Sequence, residues 1–164
     1  MMKKFLLSLM SIALMAVVCV GFTACGSDDD GDNGGGSGDI VGVWKRTYKK
    51  TTYFQQNNSG EWVQVGDPKV KTYDGKEASG FRFLPGNKAV EIDIDADNNV
   101  KYEGEQFEYK IENGKLYLLE LDHPEDGYEM WGVITFSGDQ FELTKEEMEG
   151  NSKELKIYVY KKIG

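Results

Sequence analysis

The chain has 164 residues, a formal net charge of −9 and a pI near 4.7, with 40% hydrophobic and 12% aromatic residues. That is enough chain and enough apolar side chain for one domain with a core, and the acidic balance argues against nucleic acid as a partner. The two cysteines, Cys19 and Cys25, both precede the region that reads as folded, so disulfides, thiolate metal centres and cysteine nucleophiles are excluded from it.

Met1 to Lys4 is a short basic start, and Phe5 to Ala24 is uncharged and mostly apolar. Residues 1–24 therefore read as an export signal; the competing reading is an uncleaved anchor, since about 20 apolar residues can span a bilayer. Phe22-Thr23-Ala24-Cys25 resembles the bacterial lipobox, with Phe22 where an aliphatic residue is usual. The resemblance implies cleavage before Cys25, acylation of Cys25 and attachment to a membrane through its acyl chains, two or more of which hold firmly. Residues 25–39 follow as a tether, in which Gly26 to Gly38 contains six glycines and four aspartates. Such a stretch has nothing to bury and is expected to be a flexible, solvated linker. The cluster Asp28, Asp29, Asp30 and Asp32 also resembles the acidic tag that sends some lipoproteins to the outer face of the outer membrane. The expected location is thus the outer membrane, with the domain exposed at the cell surface.

Residues 40–164 alternate apolar and polar side chains and contain no long stretch with helical spacing. Strands are expected at Val41 to Lys49, Phe81 to Leu84, Lys88 to Asp95, Val100 to Glu103, Gln106 to Glu112, Lys115 to Leu121, Tyr128 to Phe136, Gln140 to Lys145 and Leu155 to Lys162. Tyr53 to Gln56 and Glu61 to Val65 add a hairpin. Asn113-Gly114 suits a two-residue type I′ turn, and the other connections are short and polar. The fold class that follows is all-β: an antiparallel up-and-down barrel of about eight to ten strands, with a two-sheet sandwich as the alternative. The expected interior comprises Phe81, Phe83, Ile92, Ile94, Phe107, Ile111, Leu116, Leu118, Ile134, Phe136, Phe141, Leu143, Ile157 and Val159. Tyr128, Met130 and Gly132 extend the stripe of Ile134, with Gly132 marking a bulge or tight bend. The charged segment Lys145 to Lys153 reads as a loop or a helical turn.

Gly42-Val43-Trp44 opens the first strand. Phe81-Arg82-Phe83-Leu84-Pro85-Gly86, Tyr109-Lys110-Ile111, Asn113-Gly114-Lys115-Leu116 and Tyr158-Val159-Tyr160-Lys161-Lys162 follow in order. This series resembles the lipocalin-like domains of bacterial lipoproteins, with Gly42 and Trp44 as the GxW motif; the Thr-Asp-Tyr turn of true lipocalins is absent. The resemblance implies that Trp44 packs at the closed end of the barrel beneath Lys161 or Lys162, and that the barrel captures a small apolar or amphipathic molecule.

Asp93 to Asn99 has the alternating acids of a calcium loop, but Asn98 and Gly104 stand where that loop needs glycine and glutamate, so no metal site is expected. His123, the only histidine, sits in a loop rich in charge and turn residues. No catalytic constellation and no cofactor motif is present, and the chain is not expected to be an enzyme. Two binding hypotheses remain. A ligand-carrying barrel would be lined by Phe83, Phe107, Met130 and Ile134. A filled barrel would instead recognise a protein or a glycan through loops and outward aromatics, chiefly Trp62 and Trp131.

Overall fold

Ten antiparallel strands and one 3-10 turn build residues 40–164, the part of the chain that a computed structural model describes. Residues 1–39, which include the expected signal and tether and Cys25, lie outside the described residues. The strands are β1 (Gly42–Gln56), β2 (Trp62–Gln64), β3 (Lys69–Thr72), β4 (Ala78–Leu84), β5 (Lys88–Ile94), β6 (Val100–Glu112), β7 (Lys115–Glu120), β8 (Glu129–Ser137), β9 (Gln140–Glu149) and β10 (Ser152–Lys162). From β4 to β10 each strand pairs with the next, β4 pairs with β1, and β10 returns to β1. The result is a closed eight-stranded antiparallel barrel, and the expected fold class holds. Closure removes the sheet edges that an open meander would leave exposed. Asn113 and Gly114 both have positive φ, at 52° and 70°, which is what the type I′ turn between β6 and β7 requires.

Strand β1 is the longest, and its second edge has three successive partners. Gly42 to Lys45 pair with β4, Tyr48 to Thr51 with β3, and Phe54 to Gln56 with β2. The register between β1 and β10 slips at Thr47, the extra residue between the pairs Arg46–Tyr160 and Tyr48–Val159. Beyond that slip β1, β10 and β9 run on past the barrel as an arm, ending at the Gly150 turn, where φ is 57°. Lys145 to Lys153 is therefore strand and turn rather than the expected loop or helical turn. It is charged because it is solvated, and it is held by cross-strand ion pairs: Lys156 lies 2.5 Å from Glu147 and 3.1 Å from Glu154, and Lys153 lies 3.8 Å from Glu146.

The barrel interior is a stack of rings. Trp44 meets Phe141 edge-on at 4.8 Å, Phe141 stacks on Tyr160 at 4.7 Å, Phe83 meets Tyr109 at 5.0 Å, and Phe81 meets Trp131 at 5.3 Å. Leu116, Leu118, Ile134, Leu143 and Phe107 fill the space between them. Edge-to-face pairs of this kind stabilise by about 0.5–1.5 kcal/mol each beyond their burial. Ile92 and Ile94 are buried as expected, but with Val90, Val43, Val100 and Ile163 in a second cluster on the opposite face of the sheet from Trp44. Ile157 and Val159 are only half-buried; Tyr158 and Tyr160 take the inward positions on β10, because both faces of this strand are apolar.

Candidate functional site

Around Arg46 the barrel wall divides, because β4 leaves the edge of β1 after Lys45 and the β3 side takes it up from Thr47, whose carbonyl accepts from the Tyr73 amide at 2.8 Å. Arg46 follows Trp44 by two residues, so strand geometry turns both side chains to the inner face. Its cross-strand partner is Tyr160, on the same face. The guanidinium carbon lies 4.9 Å from the Tyr73 ring and 5.7 Å from the Tyr158 ring. Among the described residues Arg46 makes no ion pair, and its Nε is the one buried side-chain polar atom that lacks a hydrogen-bond partner. Burial pushes the Tyr160 and Tyr158 hydroxyls up, with Arg46 opposing in both cases. Glu91 is also raised, first by burial and then by its acidic neighbours Glu105 and Asp93, with Arg46 again opposing.

Beside Arg46 a cleft of about 420 Å³ opens to solvent. Lys71 and Tyr73 border it from the β3 side, Glu77 and Ser79 from the start of β4, Asp93 from the end of β5, and Tyr102 from β6. Lys101 and Asp95 also line it but pair with each other at 3.1 Å. The Asp95 carboxylate is further committed to its own loop, accepting from the backbone N–H groups of Asp97 at 2.9 Å and Asn99 at 2.8 Å. The Asn99 bond chiefly, with help from Lys101, holds its pKa down at about 2. The segment that resembled a calcium loop is thus a self-capped turn, and Lys45 ties it down by donating to the Asp95 carbonyl at 2.6 Å and to Asn98 Oδ1 at 2.9 Å.

The arm continues the inner face upward with alternating cations and rings. Lys71 lies 4.6 Å from the Tyr73 ring, Lys69 4.9 Å from Tyr53, Lys49 5.5 Å from Tyr158, and Lys145 4.9 Å from Trp131. Lysine also lies over rings elsewhere, Lys110 over Tyr117 and Tyr128 and Lys162 over Trp44, but around the mouth and arm four such contacts stand together.

Below this mouth the expected ligand liners are core. Phe83, Phe107 and Ile134 are only 1%, 3% and 5% exposed and pack against one another's neighbours. The space beside Phe107 and Leu118, under His123 and the Pro124–Asp126 turn, is about 50 Å³. Met130 is the correction: it is 53% exposed on the outer surface. A register slip between β7 and β8 pairs Leu116 with Gly132 but Tyr117 with Met130, leaving Trp131 as the bulged residue. The slip reverses the alternation, so Met130 turns out and Trp131 turns in over Phe81. Trp131 is therefore not the outward aromatic expected from strict alternation. Trp62 does stay at the surface, half-buried on β2, with Lys153 5.5 Å above its ring.

Gly42 and Trp44 close the lower end. A Cβ at Gly42 would sit 2.5 Å from Lys162 Cε and 2.8 Å from the Gly164 carbonyl oxygen, so only glycine lets the end of the chain lie across β1. Trp44 Nε1 donates to the Ile40 carbonyl at 2.6 Å, and Lys162, of the two lysines named above, is the one over its ring, at 5.6 Å. His123 is exposed in its loop, 3.6 Å from Glu125. Among the described residues no group of three or more histidine, aspartate or glutamate side chains converges on a metal position. Arg46 is the site residue that the sequence reading passed over, although its spacing of two from Trp44 was the signal that placed it inside. No protein-family model matches the chain, and no curated protein or solved structure shows a significant match to it.

Proposed function

We propose that the protein is a membrane-tethered lipoprotein, acylated at Cys25, whose filled barrel is a rigid platform and whose binding surface is the divided mouth around Arg46. The observation that carries this reading is the packing of the interior: Phe83, Phe141, Leu116 and Leu143 are at most 1% exposed, whereas the clefts large enough for a small molecule lie outside that core and are lined by polar and charged groups. A barrel of eight strands is just wide enough for side chains to fill or for one small ligand to occupy. Here aromatic side chains take the lower part, so a ligand binds at the mouth. Ile40, the first described residue, accepts from Trp44 Nε1 at the closed end, and the cleft beside Arg46 opens at the other end of the barrel.

A glycan or protein partner is the second reading, favoured by the lysine-capped rings of the arm, since aromatic and cationic side chains are enriched where partners dock. Native mass spectrometry of the full chain purified from membranes tests the main reading. The expected spectrum carries acyl mass that disappears in Cys25→Ser, with no apolar molecule held non-covalently. A stoichiometric apolar adduct would overturn the filled platform, and an unacylated wild-type chain would overturn the tether.

A further inference from the structure

The cleft beside Arg46 is lined by three cations and three carboxylates, of which only Lys101 and Asp95 form an ion pair. A guanidinium taken partly out of water ordinarily gains a carboxylate or several acceptors, because its desolvation is otherwise uncompensated. Arg46 has two tyrosine rings, a hydrogen bond with the Tyr160 hydroxyl and the charge of the half-buried Glu91 nearby, but no ion pair, and its buried Nε has no acceptor. Such a group lowers stability where it stands and is retained where a ligand supplies the missing anion. Lys71, on the same side of the cleft, makes no ion pair among the described residues either. Across the cleft stand Glu77 and Asp93, also without ion pairs among the described residues, and Tyr102, which is 64% exposed. The remaining charged pair of the lining, Lys101 and Asp95, is self-neutralised.

Two cations on one wall and two carboxylates with an open ring on the other, none of the four in an ion pair among the described residues, are complementary to a molecule that carries both charges. The geometry points to a compact zwitterion as the ligand of this cleft: its carboxylate on Arg46 and Lys71, its ammonium or quaternary amine toward Glu77, Asp93 and the Tyr102 ring. A purely anionic ligand would meet the two carboxylates and the negative field of the whole chain, and a purely cationic one would leave Arg46 unanswered. Aromatic faces are good partners for an alkylated ammonium, and about 420 Å³ is the size of a small-molecule site. This inference rests on the platform reading above, since it places the ligand at the mouth.

The test is thermal unfolding of the full chain in mild detergent with glycine betaine and a panel of free amino acids. Sodium acetate and tetramethylammonium chloride serve as single-charge controls at equal ionic strength. A saturable rise in Tm, about 5 K at ten times Kd, is expected from at least one zwitterion and from neither control. Arg46→Met abolishes the rise, and Asp93→Asn, on the exposed rim, reduces it. Should Arg46→Met fail to fold, Asp93→Asn and Lys71→Ala carry the test, because neither side chain belongs to the core. No response to any zwitterion, an equal response to acetate, or a response that Arg46→Met or both rim variants leave intact overturns the zwitterion assignment. An absent response alongside a mass spectrum free of apolar adducts overturns the assignment alone. A stoichiometric apolar adduct overturns the platform as well.

Discussion

Phe141 is the keystone of the ring stack, touching Trp44, Phe83, Phe136 and Tyr160 while only 1% exposed, so Phe141→Ala measures how full the barrel is. Truncating a buried phenylalanine costs about 3–5 kcal/mol, the larger figure where the surroundings cannot collapse. A closed barrel with hydrogen-bonded neighbours all round is poorly able to collapse. With an unfolding entropy of about 2.1 cal/mol/K per residue over a region of roughly 125 residues, the loss corresponds to a fall in Tm of about 11–19 K. The assay is circular dichroism melting of the full chain and the variant. A second arm equilibrates both under the same benzene vapour. An apolar cavity that stays dry binds benzene, so the variant regains about 5 K at ten times the benzene Kd whereas the wild type, having no room, gains nothing. A fall in Tm of under about 5 K, or a benzene response in the wild type, would refute the claim that side chains fill the lower barrel.

At Gly132 an added Cβ would lie 2.5 Å from the Thr144 carbonyl oxygen and 3.1 Å from Leu143 Cδ1, so Gly132→Ala is expected to cost about 1–3 kcal/mol, read as a lowered denaturation midpoint at unchanged m-value. Asp95 carries a pH signature. Its folded pKa of about 2 lies below the unfolded value near 3.9, so its ionised form stabilises the fold above about pH 4 and that contribution is lost as pH falls towards 2. The stability advantage of wild type over Asp95→Asn, measured by urea titration, is therefore full at pH 7 and shrinks between pH 4 and pH 2; a difference that is flat across that window would refute the assignment.

The barrel was legible because alternation alone separates a strand from a helix and short turn-rich connections make neighbours antiparallel. Phe107 and Phe141 stand between polar residues, Phe81 and Phe83 flank Arg82, and all four are inside. Legibility failed where that signal was masked. Strand β3, Lys-Val-Lys-Thr, is exposed throughout and has no buried face to betray it. Lys145 to Lys153 looked like a loop because charge on a solvated arm and charge on a loop are alike in composition. Met130 and Trp131 exchanged faces through a single bulged residue, which alternation cannot foresee. For Arg46 the placement was legible and its meaning was not, since a lone arginine acquires significance only from the absence of a counter-ion, and absence is a property of three dimensions.

The seam between β1 and β10 has a consequence for how the molecule is made. Thr47 and Val159 hydrogen-bond across 112 positions of sequence, the Val43 amide donates to the Gly164 carbonyl, and the Ile163 amide donates to the carbonyl of Val43. Closure thus awaits the last eleven-residue strand, and contacts of such long range form slowly. Until they do, β1 presents one whole edge of fifteen residues to any other extended chain it meets. Lys45, Arg46, Lys49 and Lys50 on that edge supply the repulsion that discourages two nascent copies from pairing there.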